Sequence, residues 1–158
     1  MTSPTAGDQR RATALTVWYG HLDLDGVNSV LQEAAELDRV RQLVIGILDL
    51  HAHVIPILLT DDGLACLSQM VYSLSEGREG DDPDCARSAR LIIAHADRDL
   101  DAYKAVLQEA ADADRVTETI VGILGTFRAF VPLLYSELGL AVLQRSILDW
   151  AAREDDAS

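Results

Sequence analysis

The chain has 158 residues, 26 of them Asp or Glu against 13 Lys or Arg, giving a formal charge of −13. At 49% apolar residues it carries enough hydrophobic material to close a core and has one domain's worth of length. The acidic balance argues against binding nucleic acid through phosphate contacts, which need Lys and Arg to displace counterions, and against docking on an anionic membrane.

The first predicted helix spans residues 8–21. A second follows the Asp-Leu-Asp turn at 23–25, with Val27, Val30, Leu31 and Ala34 spaced by three and four along one face. The third begins at Asp38, read as an N-cap, and continues to about residue 59. It is apolar nearly all round, which predicts burial on every side. Gly46 within it predicts a close helix crossing, and Pro56 a kink or interruption near the end. The fourth opens at Thr60, a hydroxyl N-cap followed by Asp61 and Asp62, and carries the stripe Leu64, Leu67, Val71 and Leu74. A Gly-, Asp- and Pro-rich joint at 76–84 ends this set.

The pattern then restarts, with Asp82 as N-cap and Pro83 at the first helical position. Displacing the chain by 76 residues without a gap aligns Asp23–Leu67 with Asp99–Leu143 at 21 of 45 identical positions. The second helix returns as Tyr103, Val106, Leu107 and Ala110, and the third as a segment from Asp114 to about residue 135 with Gly122 and Pro132. The fourth returns from Ser136 with Leu140, Leu143, Ile147 and Trp150. The expected fold is all-α: one compact domain over 1–158, a helical bundle of two tandem four-helix repeats at about 8–77 and 84–153. Two units are too few for a solenoid, so a duplicated former homodimer with a pseudo-two-fold axis is expected.

The N-terminus has no basic region leading into an unbroken apolar run, so a cytoplasmic location is expected. Cys66 and Cys85 form no CxxC or Cys/His cluster, and Cys66, aligned with Val142, is read as a core or near-core thiol. The longest apolar stretches, 43–59 and 120–134, are interrupted by polar residues and fall short of the roughly 20 clean residues of a span, so no membrane partner is expected.

The chemistry-bearing residues cluster in the third helices. On a helix Asp49 and His53 share a face and His51 points away, so a metal site there could use Asp49 and His53 only. The aligned positions 125, 127 and 129 hold Gly125, Phe127 and Ala129, so the group occurs once. Its plainer reading is a satisfied core pair. The Asp-Leu-Asp turns lack the calcium-loop pattern and read as helix caps. GxGxxG, phosphate-loop, GxSxG and HExxH signatures are all missing, which argues against an enzyme and implies no cofactor.

The leading expectation is a non-enzymatic interaction protein, adaptor or regulator, with an acidic surface and a protein partner. The alternative is a small-molecule or metal-binding protein or enzyme with one asymmetric pocket between the central helices. Its candidate residues are Trp18, Asp49, His51, His53, Phe127, Arg128 and Phe130. A homo-oligomer joined through exposed apolar helix faces is a further possibility.

Overall fold

The computed structural model describes residues 3–157. The chain is all-helical, with no strand among the described residues: α1 (Ala6–Gly20), α2 (Leu24–Glu36), α3 (Val40–Leu58), α4 (Asp61–Ser75), α5 (Pro83–Ala96), α6 (Leu100–Asp112), α7 (Val116–Phe130) and α8 (Glu137–Asp156).

Local chemistry sets most boundaries. Thr5 opens α1 with a capping box: its hydroxyl accepts from the Asp8 N–H at 3.3 Å, and the Asp8 carboxylate accepts from the Thr5 N–H at 2.8 Å. Asp23, Thr60, Asp82, Asp99 and Ser136 cap α2, α4, α5, α6 and α8, as their positions in the sequence predict. The expectation for Asp38 and Asp114 is corrected. Both are left-handed, at φ +54° and +55°, and they close α2 and α6 instead of opening α3 and α7. The N–H groups of Arg39 and Arg115 donate back to Ala34 O and Ala110 O at 2.8 Å, the pattern of a Schellman turn. Aspartate tolerates this backbone better than most residues. Leu22 and Arg98, at φ +57° and +56°, close α1 and α5 in the same way.

The helices sort into two compact units. Unit 1 runs up to Val54 and resumes at Val131; unit 2 is Ile55–Phe130, so the boundary falls within α3. The fourth helices thereby change places, with α8 packing on α1 in unit 1 and α4 packing on α5 in unit 2. This evens out the charge: 12 acidic and 6 basic residues in unit 1, 14 and 7 in unit 2.

Unit 1 is built around Leu15, Leu43, Val44, Ile47 and Leu48, and unit 2 around Leu91, Tyr103, Ile120, Ile123 and Leu124, all buried. The close crossing predicted from the two glycines occurs in each. A Cβ on Gly46 would lie 3.1 Å from Ala12 Cβ, and one on Gly122 would lie 3.3 Å from Ser88 Cβ and overlap Ser88 Oγ.

The third helices differ from expectation at their C-terminal ends. Helix α3 is not buried on every side: His53, Pro56 and Ile57 are exposed. It continues through Pro56 to Leu58, because in a last turn the missing N–H withholds one bond and Leu59 N–H donates to Ile55 O at 2.9 Å immediately afterwards. Helix α7 stops at Phe130, two residues before Pro132, and the chain passes through turns to Ser136. Helix α3 is also the one helix among the described residues long and apolar enough, by length and composition, to cross a membrane, with 44% of that window buried. Cys66 is exposed, not a core thiol, since it sits one residue off the buried Leu67–Val71 stripe.

Candidate functional site

The sequence candidates divide between the units. Trp18, Asp49, His51 and His53 belong to unit 1, whereas Phe127, Arg128 and Phe130 form the last turn of α7 in unit 2. Within unit 1 they do not converge. His51 is fully buried, Asp49 is half-buried and His53 is exposed. Half-buried Trp18 lies over the start of α2, where a Cβ on Gly26 would meet its ring at 2.7 Å. Among the described residues no group of three or more His, Cys, Asp or Glu is placed to hold a metal ion. In unit 2, Phe127 is buried, and Arg128 and Phe130 are half-buried.

His51 instead meets a residue that sequence reading passed over. Its Nδ1 lies 2.7 Å from Ile47 O, and its Nε2 lies 2.8 Å from the hydroxyl of Tyr135. A carbonyl only accepts, so Nδ1 carries the proton and the neutral ring takes the Tyr135 O–H at Nε2. Burial pulls the His51 pKa down to about 4, against the opposing effect of the bond to Ile47. The imidazole is therefore neutral across the physiological range and acts as a hydrogen-bond acceptor. Tyr135 also makes an edge-on contact with Tyr19, ring centroids 6.3 Å apart. The turns after α7 bring Tyr135 to this position. The aligned residues in unit 2 are Phe127, Leu59 and His95, so the polar pair is confined to unit 1.

A second polar cluster occurs in both units. In unit 1, Asp8 is fully buried and receives Arg39 together with Arg11 Nη2 at 3.0 Å, while Glu33 accepts from Arg11 at 3.0 Å and Arg10 at 2.9 Å. Burial works to raise the Asp8 carboxyl, but the bonds from Arg39, Thr5 and Arg11 overcome it and hold the group well below the usual carboxylate range. In unit 2, Asp84 receives Arg115 together with Arg87 at 2.8 Å, and Glu109 receives Arg87 at 3.0 Å and Arg90 at 2.8 Å. The Arg115 bond, against burial, holds the Asp84 carboxyl low.

The signal for these clusters was present in the sequence. Asp8/Asp84, Arg11/Arg87, Glu33/Glu109 and Arg39/Arg115 are identical pairs 76 residues apart, two of them lying before the compared window. At the C-terminal end Glu154 accepts from Arg10 Nε at 2.8 Å and ties α8 to α1. Cys85 is half-buried, and burial followed by the charges of Asp82, Asp84 and Asp81 raises its thiol, which works against nucleophilic use.

No family model, no curated protein and no solved structure matches the chain.

Proposed function

We propose that the chain is a non-enzymatic interaction protein that presents an acidic, partly apolar helical surface to a protein partner. One contrast carries this reading. The buried groups able to do chemistry are committed within the fold, His51 to Ile47 and Tyr135 and the two aspartates to arginines, while large side chains such as Leu138 and Leu148 stand more than 70% exposed. Exposed leucines in a chain of charge −13 cost solubility, and contact with another protein would offset that cost. The same reading keeps the origin by duplication of a unit that once paired with its own copy about a two-fold axis. Its support is the exchange of fourth helices, α8 onto α1 and α4 onto α5. A cytoplasmic location remains part of the proposal.

The test is cross-linking and mass spectrometry of the full chain in cells that express it naturally. A stoichiometric protein partner is expected, retained when His51→Phe and Tyr135→Phe are combined and weakened by raised salt. Native mass spectrometry showing instead a bound small molecule, lost in that double variant, would overturn the interaction reading in favour of a ligand site at the buried pair.

A further inference from the structure

Unit 1 is polarised along its helices. Gly20 packs on Leu140 and Gly7 on Glu154, so α1 and α8 run antiparallel, and the end of α1 lies beside the start of α8. Contact between Tyr19 and Tyr135 brings the turns after α7 to that same end. Four leucines are exposed there: Leu22 and Leu24 at the α1–α2 corner, Leu133 in the turns and Leu138 in the first turn of α8, at 65%, 67%, 55% and 74%.

The charged residues set among them are Asp23, Asp25 and Glu137. No Lys or Arg occurs between residues 12 and 38 or between 129 and 144. The arginines gather at the opposite end, where Arg10, Arg11 and Arg39 are taken up by Asp8, Glu33 and Glu154. The fold does not demand leucine at positions 22 and 138. The corner at Arg98 has the same backbone as the corner at Leu22, φ +56° against +57°, with the same pair of closing hydrogen bonds. The residue aligned with Leu138 is Asp62, which starts α4 equally well.

From this juxtaposition we infer that the Leu22–Leu24–Leu133–Leu138 end of unit 1 is a docking surface for an apolar, Lys/Arg-rimmed element of another protein, such as a basic amphipathic helix. This rests on the interaction reading above and names its site and partner chemistry. Charge decides between occupants. A second copy meeting this end symmetrically would set Asp23, Asp25 and Glu137 against their equivalents, whereas a basic rim complements them.

The experiment uses the full chain and an 18-residue helical peptide with leucine on one face and lysine on the other. A twin with glutamate for lysine and a peptide of scrambled order serve as controls. Binding is followed by fluorescence anisotropy and by backbone amide shifts. The lysine peptide is expected to bind, to shift amides around residues 22–25 and 133–138, and to lose affinity at least tenfold in Leu22→Arg/Leu138→Asp, while Leu100→Arg in unit 2 changes it less than twofold. Leu22→Gly is the variant that separates docking from folding: glycine suits the left-handed backbone, so it is expected to raise thermal stability while weakening the peptide.

Equal binding of the scrambled or glutamate peptide, or undiminished binding by both Leu22→Gly and the double variant, would overturn the proposal. So would a concentration-dependent dimer that the double variant disperses, since a second copy would then be the occupant. A cross-linked partner that persists in cells when these leucines are replaced overturns this site and leaves the interaction reading standing. Absence of any protein partner defeats the reading itself.

Discussion

Residues 49–65 and 125–141 follow the same Gly-Ile-Leu segment, carry proline at the same place and end in the same Gly-Leu-Ala, yet they fold differently. The first remains helical through Pro56 to Leu58 and then turns at Thr60 into α4. The second leaves the helix at Phe130 and reaches Ser136 through turns. The residues that differ around the proline explain what the second path gains. Tyr135 stands where the first path has Leu59, and it supplies the donor that the buried Nε2 of His51 needs. A buried imidazole acceptor without a partner costs about 1–3 kcal/mol, enough to favour one local path over another. Local propensity is shared by the two segments; the tertiary hydrogen bond is not.

Paired substitutions at positions 76 residues apart can break or sharpen this contrast. The largest effect is expected at the ion clusters. Asp8 is fully buried, and Asp8→Ala would leave Arg11, itself 5% exposed, short of one of its two carboxylates. Breaking such a buried pair typically costs about 3–5 kcal/mol, measurable by urea denaturation. Asp84→Ala is expected to cost less, because each partner it leaves is more open than its counterpart: Arg87 is 13% exposed against 5% for Arg11, and Arg115 46% against 22% for Arg39. Equal losses would show that the clusters do not differ in burial as the geometry has it.

Next come the two glycines that follow the diverging paths. A Cβ on Gly139 would collide with the backbone oxygens of Leu133, at 2.7 Å, and Leu134, and backbone in a turn cannot move aside as a side chain can. Gly139→Ala is expected to lose about 3 kcal/mol. On Gly63 the same methyl meets Leu59 Cβ and Thr60 Oγ1 at 3.4 Å, ordinary contact, so Gly63→Ala is expected to be neutral or to gain up to about 1 kcal/mol of helix propensity. Near-equal results would mean that the two paths are the same in solution.

The His51–Tyr135 pair gives the contrast a pH signature. The folded pKa of His51, about 4, lies below its unfolded value near 6.5, so the unfolded chain binds the extra proton first. Stability from this group is complete above pH 6.5 and is lost as pH falls toward 4, by about 3 kcal/mol in all. The lowered carboxyls of Asp8, Glu33, Asp84 and Glu109 add their own loss from about pH 5 downward. His51→Phe, which borrows the residue of unit 2, is expected to flatten stability between pH 6.5 and about 5, above the range of the carboxyls. A slope that persists in this variant would place the titrating group elsewhere.

Much of the fold is legible in the sequence where its cause is local. The caps at Asp23, Thr60, Asp82, Asp99 and Ser136, the stripe of Tyr103, Val106, Leu107 and Ala110, and the crossings at Gly46 and Gly122 all follow from residue type and spacing. What was not legible depends on partners far away in the chain. His51 and Tyr135 are 84 residues apart, Arg10 and Glu154 are 144 apart, and periodicity within a helix does not say which helix it will pack on. The exchange of α4 and α8 belongs to the same class. Asp38 and Asp114 illustrate a narrower failure: aspartate is favoured both before a helix and in a left-handed turn, and the spacing of Ala34 and Arg39 decides between them.

The smallest effect is expected at the corners that close α1 and α5, and it is a gain. A non-glycine residue in the left-handed region is held there by its surroundings at roughly 1 kcal/mol relative to glycine. Leu22→Gly and Arg98→Gly should each raise stability by up to about 1 kcal/mol, because the backbone bonds closing the two turns match and neither side chain enters a core. Glycine also adds freedom to the unfolded chain, which reduces the gain by a similar amount at both sites. Thermal denaturation of the two variants therefore compares the corners alone. Matching shifts would mean that leucine at position 22 contributes nothing to folding that arginine at 98 does not. A loss confined to Leu22→Gly would show instead that the Leu22 side chain supports the packing of unit 1 from outside the core.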